Sequence, residues 1–130
     1  MAKTINADEL KKNRKNYVLI DVREQEELLG GNIGDSIHLP LGQLIRKARK
    51  TEKEEFGPEE RHHLFLVLTK QVDVKKSLGK KICMYCSFGY RGSIAADELV
   101  KSGIKADIVN LEGGFAAWEN HNGNSGTKTY

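Results

Sequence analysis

A cysteine and an arginine separated by a short segment with a glycine are the residues of this chain best suited to chemistry. They lie within Cys86-Ser87-Phe88-Gly89-Tyr90-Arg91-Gly92-Ser93. The apolar run before them predicts a strand, and the pattern from about Arg91 to Ser102 predicts a helix. A cysteine at such a junction lies near the free N–H groups and the positive dipole end of the helix. Because these surroundings favour the nucleophilic thiolate, the segment predicts a group-transfer site with Cys86 as nucleophile.

Arg91 strengthens this interpretation. A positive side chain in the first turn of a helix is electrostatically unfavourable, and an anion bound between Cys86 and Arg91 would explain it. The intervening residues could curl so that their N–H groups converge on one centre. The planar guanidinium would then hold the oxygens of an anionic substrate. The alternative is a free cysteine without a chemical role at the end of a strand.

Cys83 and Cys86 also form a Cys-x-x-Cys pattern, which suggests a redox pair or half of a zinc site. On a strand, residues i and i+3 face opposite sides about 10 Å apart, whereas a disulfide needs Cα atoms closer than about 7 Å. No second cysteine pair completes a zinc site, and His62 and His63 are predicted to be surface residues without further ligands at suitable spacing. Cys83 is therefore predicted to be buried and inert, and no metal site is predicted.

Composition limits the classes of protein and partner. A chain of 130 residues with 38% hydrophobic and 30% charged residues predicts one folded domain. The net charge of +3 suits a small anionic substrate and does not argue for a nucleic-acid or membrane partner. Two cysteines without a secretory signal predict a reducing compartment, the cytoplasm. No apolar stretch approaches the ~18 residues of a membrane-spanning helix.

Strands and helices alternate along the chain, which predicts an α/β domain with a mainly parallel sheet covered on both faces. Asn6 and Glu9 resemble a capping box that opens the first helix. The run 17–20 predicts a buried strand, with Asp21 and Arg23 at the carboxyl end where parallel sheets collect ligands. Further predictions are a short helix at 24–29, strands at 36–39 and 107–111, and a short helix carrying Phe115 and Trp118.

Two segments between these elements predict longer helices. The helix beginning at Leu41 places apolar residues at i, i+3, i+4 and i+7, and its basic face over 41–53 is either solvated or a docking patch. The helix beginning at Pro58 is predicted to place one set of residues on one face: Leu64, Val67, Leu68 and Gln71. Residues 122–130 are polar and predicted to be a disordered tail, which leaves a domain over 1–121.

The chain resembles the single-domain rhodanese family, the thiosulfate sulfurtransferase-like proteins. Four segments carry the resemblance over roughly residues 4–120, and their order and spacing make it specific. They are Ile20-Asp21-Val22-Arg23-Glu24, Gly31-Asn32-Ile33-Gly34-Asp35-Ser36-Ile37-His38-Leu39-Pro40, the Cys86–Ser93 segment, and Leu111-Glu112-Gly113-Gly114-Phe115-Ala116-Ala117-Trp118.

The resemblance implies a five-stranded, mainly parallel sheet and a sulfur transfer through a Cys86 persulfide. The donor would be thiosulfate or a persulfide, and the acceptor cyanide, a thiol or an acceptor protein. The backbone of Ser87 through Gly92 would stabilise the anionic persulfide. Arg91 would orient the donor. Asp21, Arg23 and Ser93 would support the loop. No cofactor is implied.

The chain departs from the family pattern at two places. Asn32 stands where the family usually has histidine, and Gly92 separates Arg91 from Ser93, which breaks the usual Arg-Ser pair. Phe88 and Tyr90 are bulky; they could line an apolar mouth that favours a protein acceptor or a larger thiol, or they could be packing residues.

Two other functions stay open from the sequence. Related phosphatases and arsenate reductases use Cys-x5-Arg, whereas the spacing from Cys86 to Arg91 is Cys-x4-Arg, too small a loop for a tetrahedral phosphate or arsenate. The second alternative is a rhodanese-like module that binds proteins without catalysis. Retention of both Cys86 and Arg91 argues against it.

Overall fold

The computed structural model describes residues 2–122 and contains five strands and six α-helices in that range. The strands are β1 (Lys3–Ile5), β2 (Tyr17–Asp21), β3 (Ile37–His38), β4 (Lys81–Tyr85) and β5 (Ile108–Leu111). The helices are α1 (Ala7–Lys12), α2 (Leu41–Lys50), α3 (Pro58–Thr69), α4 (Val74–Ser77), α5 (Tyr90–Lys101) and α6 (Gly114–Asn122). Two 3₁₀ helices, Arg14–Asn16 and Gln25–Gly30, flank β2.

The five strands form one sheet in the order β1-β5-β4-β2-β3, and every pairing is parallel among the described residues. This confirms the predicted α/β architecture. In the central pair, Asp21 of β2 stands beside Tyr85 of β4. Both strands therefore end at the same level, and Cys86 follows at the carboxyl edge of the sheet, where open parallel sheets place their ligands.

Alternation along the strands divides the core into two layers, as period-two geometry requires. One layer packs Ile82 and Met84 of β4 against α2, α3 and α5. The other packs Cys83 and Tyr85 against α1 and α6. Helices thus cover both faces of the sheet, and consecutive residues of β4 are buried on both sides, which explains why the strand reads as a continuous apolar run.

The predicted face of α3 is wrong. Its buried residues are His62, Phe65, Leu66 and Thr69, while Val67 is 45% exposed. The stretch Leu64–Leu68 is apolar in every direction, so hydrophobic periodicity could not select the face, and the docking of Phe65 into the core decides it. For the same reason His62 is buried rather than on the surface as predicted, whereas His63 is exposed.

The remaining elements lie near their predicted positions. Asn6 caps α1 through a hydrogen bond from the Glu9 N–H. The helix predicted to begin at Arg91 begins at Tyr90, and a short helix, α4, lies in the connection that the sequence left unassigned. In α2, Leu44 and Ala48 are buried while Arg46 is exposed, so its basic residues include a solvated face. Apart from Asn122 at the end of α6, the predicted tail lies outside the described residues.

Among the described residues, no helix combines the length and apolar character needed to cross a membrane.

Candidate active site

Cys86 lies where β4 ends and the connection to α5 begins. Its side chain is covered, with the residue only 1% exposed, and its sulfur accepts a hydrogen bond from the Gly89 N–H at 3.0 Å. Gly89 has φ = +114°, a backbone conformation that glycine adopts without strain and that other residues rarely adopt. A backbone donor aimed at a sulfur is the geometry that stabilises negative charge there.

The Gly89 peptide is held from both sides. While its N–H donates to Cys86, its carbonyl oxygen accepts a hydrogen bond from Asn110 Nδ2 at 3.0 Å. Asn110 is a buried residue of β5, 5% exposed, and a Cβ at Gly92 would overlap its Oδ1. Gly92 is thus a position where helix α5 meets β5 too closely for any side chain. The sequence analysis missed Asn110, although a polar residue inside an otherwise apolar strand was an available signal.

The start of α6 binds the first residues of the loop. The N–H of Phe115 donates to the Cys86 carbonyl at 2.7 Å, and that of Ala116 donates to the Ser87 carbonyl at 3.1 Å. Gly114 permits this approach, because a Cβ there would overlap the Cys86 carbonyl oxygen and lie 2.7 Å from the Ser87 carbonyl carbon. Gly114, noted in the sequence only as part of a motif, therefore lets α6 contact the residue that carries the candidate nucleophile.

Arg91 is paired with a carboxylate that the sequence analysis did not single out. Its NH1 and NH2 atoms donate to the two oxygens of Glu27 at 2.5 and 2.7 Å. Ser87 Oγ donates to the same carboxylate at 2.9 Å. The hydrogen bonds from Arg91 lower the pKa of Glu27 to about 2. The anion expected beside Arg91 is present within the chain itself.

Asp21 and Arg23 form a buried pair, 0% and 3% exposed, with the Arg23 guanidinium on both Asp21 oxygens. Arg23 also donates to the carbonyl oxygens of Gly31 at 2.9 Å and Glu27 at 3.4 Å, and its guanidinium lies 4.6 Å from the centre of the Phe115 ring. This pair therefore fixes the 3₁₀ segment that carries Glu27, and through that segment it reaches the loop.

The side chains around the loop differ in exposure. Phe88 is 73% exposed and Tyr90 84% exposed, which contradicts their interpretation as packing residues. Ile94, one turn after Tyr90 on α5, is 52% exposed. Ser93 lies in the first turn of α5, where its N–H donates to the Gly89 carbonyl at 3.0 Å. Asn32 is exposed.

Cys83 lies on the opposite side of β4 from Cys86, within the layer under α1 and α6, and both cysteines are free. Burial raises the pKa of the Cys83 thiol to about 12. This confirms the prediction that Cys83 is a buried core residue. Within residues 2–122, no group of three or more His, Cys, Asp or Glu side chains is arranged to hold a metal ion.

Comparison with known proteins identifies the fold and the family. The Rhodanese-like domain model matches residues 6–121. This chain belongs to the rhodanese family. The rhodanese domain is 32% identical over 116 residues to YqhL of Bacillus subtilis, covering 89% of this chain and 71% of that protein. It is 27% identical over 117 residues to the thiosulfate sulfurtransferase GlpE of Coxiella burnetii, covering 90% of this chain and 84% of GlpE.

A solved structure, a rhodanese-related protein from Thermoplasma volcanium, superposes on this rhodanese domain with a TM-score of 0.63 and 29% identity, covering 92% of each chain. The family and its relatives support a sulfurtransferase in general.

Proposed function

We propose that this rhodanese transfers a sulfane sulfur from thiosulfate or a persulfide donor to a thiophilic acceptor through a persulfide on Cys86. The observation that carries the proposal is the Gly89 N–H directed at the Cys86 sulfur, at the carboxyl edge of the sheet. In the first half-reaction, the Cys86 thiolate attacks the terminal sulfur of the donor. A new S–S bond forms as the donor's S–S bond breaks, and sulfite or a thiolate leaves with the electron pair.

In the second half-reaction, cyanide or an acceptor thiolate attacks the outer sulfur of the persulfide and the Cys86 thiolate is regenerated. The two steps involve no net oxidation, so the chemistry requires only that negative charge on sulfur be stabilised at each stage. The Gly89 N–H and the nearby start of α5 meet this requirement. We further propose that the reaction takes place in the cytoplasm, where free cysteines persist.

Attack by the Cys86 sulfur requires a local opening of the site, because Cys86 is only 1% exposed. Phe88 and Tyr90, on either side of Gly89, are exposed and stand beside this site. We infer that a bulky thiol or an acceptor protein contacts these two aromatic side chains. Small acceptors such as cyanide would not need them.

Intact-protein mass spectrometry after incubation with thiosulfate, and separately with an organic persulfide, tests the proposal. We expect the gain of one sulfur atom on the wild-type protein and on Cys83→Ala, and no gain on Cys86→Ala. Sulfur retained by Cys86→Ala would contradict the assignment of the nucleophile. No sulfur gain from either donor would favour the non-catalytic binding module, and hydrolysis of phenyl phosphate abolished in Cys86→Ser would favour a phosphatase.

A further inference from the structure

The carboxylate of Glu27 occupies the place where the guanidinium of Arg91 would hold an anionic donor. Both Arg91 NH groups and the Ser87 hydroxyl point at it. A carboxylate and a sulfonate present the same charge-bearing oxygens to a guanidinium, so the two groups compete for one partner. The Glu27 and Arg91 side chains are 30% and 33% exposed, which places their contact at the surface, within reach of a substrate.

Glu27 is held in place independently of Arg91. Its Oε1 accepts a hydrogen bond from the Glu24 N–H at 2.9 Å, and its own carbonyl oxygen lies 3.4 Å from Arg23 NH1. The side chain is thus fixed by the 3₁₀ segment beneath it as well as by the loop above. An incoming anion would have to compete with this carboxylate. Because the carboxylate is already oriented, it loses little entropy by staying bound to Arg91.

The charges around the pair also disfavour a doubly charged donor. Glu27 neutralises Arg91, and Glu24 is close enough to contribute to the raised pKa of Arg91 after Glu27 and Cys86. Thiosulfate carries two negative charges and would meet a cation that is already paired, next to a second carboxylate. An organic persulfide with an uncharged substituent carries at most the single charge of its own terminal sulfur, and it has no sulfonate for a guanidinium to hold.

We propose that Glu27 determines donor specificity by masking Arg91, so that thiosulfate loads this rhodanese more slowly than do organic persulfides whose substituent is uncharged. The inference rests on the proposed function, since it concerns loading of Cys86. In that loading step, RS–SH and the Cys86 thiolate give Cys86–S–SH and the thiolate RS⁻, and the terminal proton stays on the transferred sulfur.

The test compares two donors on each variant. The second-order rate of sulfur gain on Cys86 is measured by quenched mass spectrometry with thiosulfate and with benzyl hydropersulfide, and the ratio of the two rates is taken. A general loosening of the loop slows both donors and cancels in this ratio. We expect Glu27→Gln, which keeps the shape and an acceptor for Ser87, to raise the thiosulfate-to-persulfide ratio by about tenfold or more, because a free guanidinium then faces the sulfonate.

Two further variants make the result specific. Glu26→Gln removes the same charge from the neighbouring, exposed position and should leave the ratio within about twofold of the wild-type value, since exposed charges are screened. Arg91→Ala added to Glu27→Gln should abolish the gain. An unchanged ratio in Glu27→Gln with both rates lowered would show that Glu27 only braces the loop, and a lower ratio would show that the intact pair assists thiosulfate. Either overturns the inference. If the wild-type protein gains sulfur from neither donor, the proposed function itself fails.

Discussion

Cys83 and Cys86 stand on and just beyond the same strand, and both are almost fully covered, at 0% and 1% exposed. The two sulfurs differ in the residues that surround them. Cys83 lies under α1 and α6 in an apolar layer that raises the pKa of its thiol to about 12. Cys86 begins the loop between β4 and α5 and receives a backbone hydrogen bond from Gly89. Exposure alone would treat these cysteines as equals. The end of the strand distinguishes them, because there the backbone N–H of Gly89 donates to a sulfur.

The largest expected difference is in alkylation of the native protein. At pH 8, iodoacetamide should modify Cys86 at least about 100-fold faster than Cys83, because displacing a loop costs less than opening the sheet. The high pKa of the Cys83 thiol acts in the same direction, since it keeps that sulfur protonated. Time-resolved peptide mass spectrometry measures both rates in one sample. Unfolding in urea should make the two rates similar, and rapid labelling of Cys83 in the native protein would contradict the comparison.

A substitution at Gly114 should destroy the difference by displacing the loop from α6. Gly114→Ala places a Cβ against the Cys86 carbonyl at φ = +62°, where side chains are also strained. We expect sulfur loading of Cys86 to fall by about 100-fold or more, since displacements near 1 Å have such effects. The unfolding free energy should fall by about 2–3 kcal/mol. Gly79→Ala is the control, because no atom lies within 4 Å of a Cβ there; an equal loss in both variants would argue against the contact.

A smaller effect is expected at Gly92, which lets α5 approach the end of β4. A Cβ at Gly92 would overlap Asn110 Oδ1 and lie 3.4 Å from the Cα of Tyr85, so Gly92→Ala should lower the unfolding free energy by about 1–3 kcal/mol. Gly42 lies in the first turn of α2, where a Cβ would come no closer than 3.6 Å to Arg46 NH1. Gly42→Ala should therefore be neutral or stabilising by up to about 1 kcal/mol. Urea denaturation of the two variants measures both effects.

These contacts show which parts of the molecule the sequence could predict. The strand before Cys86 and the helix after it follow from local patterns, because a buried parallel strand is apolar on both faces and a helix begins at a recognisable junction. The Cys83 environment follows from the same alternation. By contrast, the pairing of Arg91 with Glu27 joins residues 64 positions apart, and local rules assign Glu27 only to a capping box.

The other features that the sequence did not predict also depend on residues that are distant along the chain. Hydrophobic periodicity could not predict the orientation of α3, because its residues from Leu64 to Leu68 are apolar on every side. The packing of Phe65 in the core determines which face is buried. Asn110 was visible as a polar residue in a strand, but its partner, the Gly89 carbonyl, depends on how two distant segments meet. Local chemistry thus located the candidate nucleophile, while the residues that hold its loop required the three-dimensional structure.

The smallest expected effect concerns the acid sensitivity of the tether between Glu27 and the loop over Cys86. The pKa of Glu27 is lowered from 4.5 to about 2 in the folded protein, first by the hydrogen bonds from Arg91. A carboxyl group whose pKa is lowered on folding stabilises the folded state at pH values above its unfolded-state pKa. This contribution is lost as the pH falls from about 4.5 to about 2.

The unfolding free energy of the wild-type protein should therefore exceed that of Glu27→Gln by no more than about 1 kcal/mol at pH 6, since the pair is partly exposed. The difference should shrink steadily below pH 4.5. Urea denaturation of both proteins between pH 6 and pH 2.5 measures it, with Glu26→Gln as the matched loss of a charge. A difference that stayed constant over this range would mean that the pair with Arg91 does not hold the loop through its charge. The loop at Cys86 would then be held by the hydrogen bonds that Phe115, Ala116 and Asn110 donate to its carbonyl oxygens.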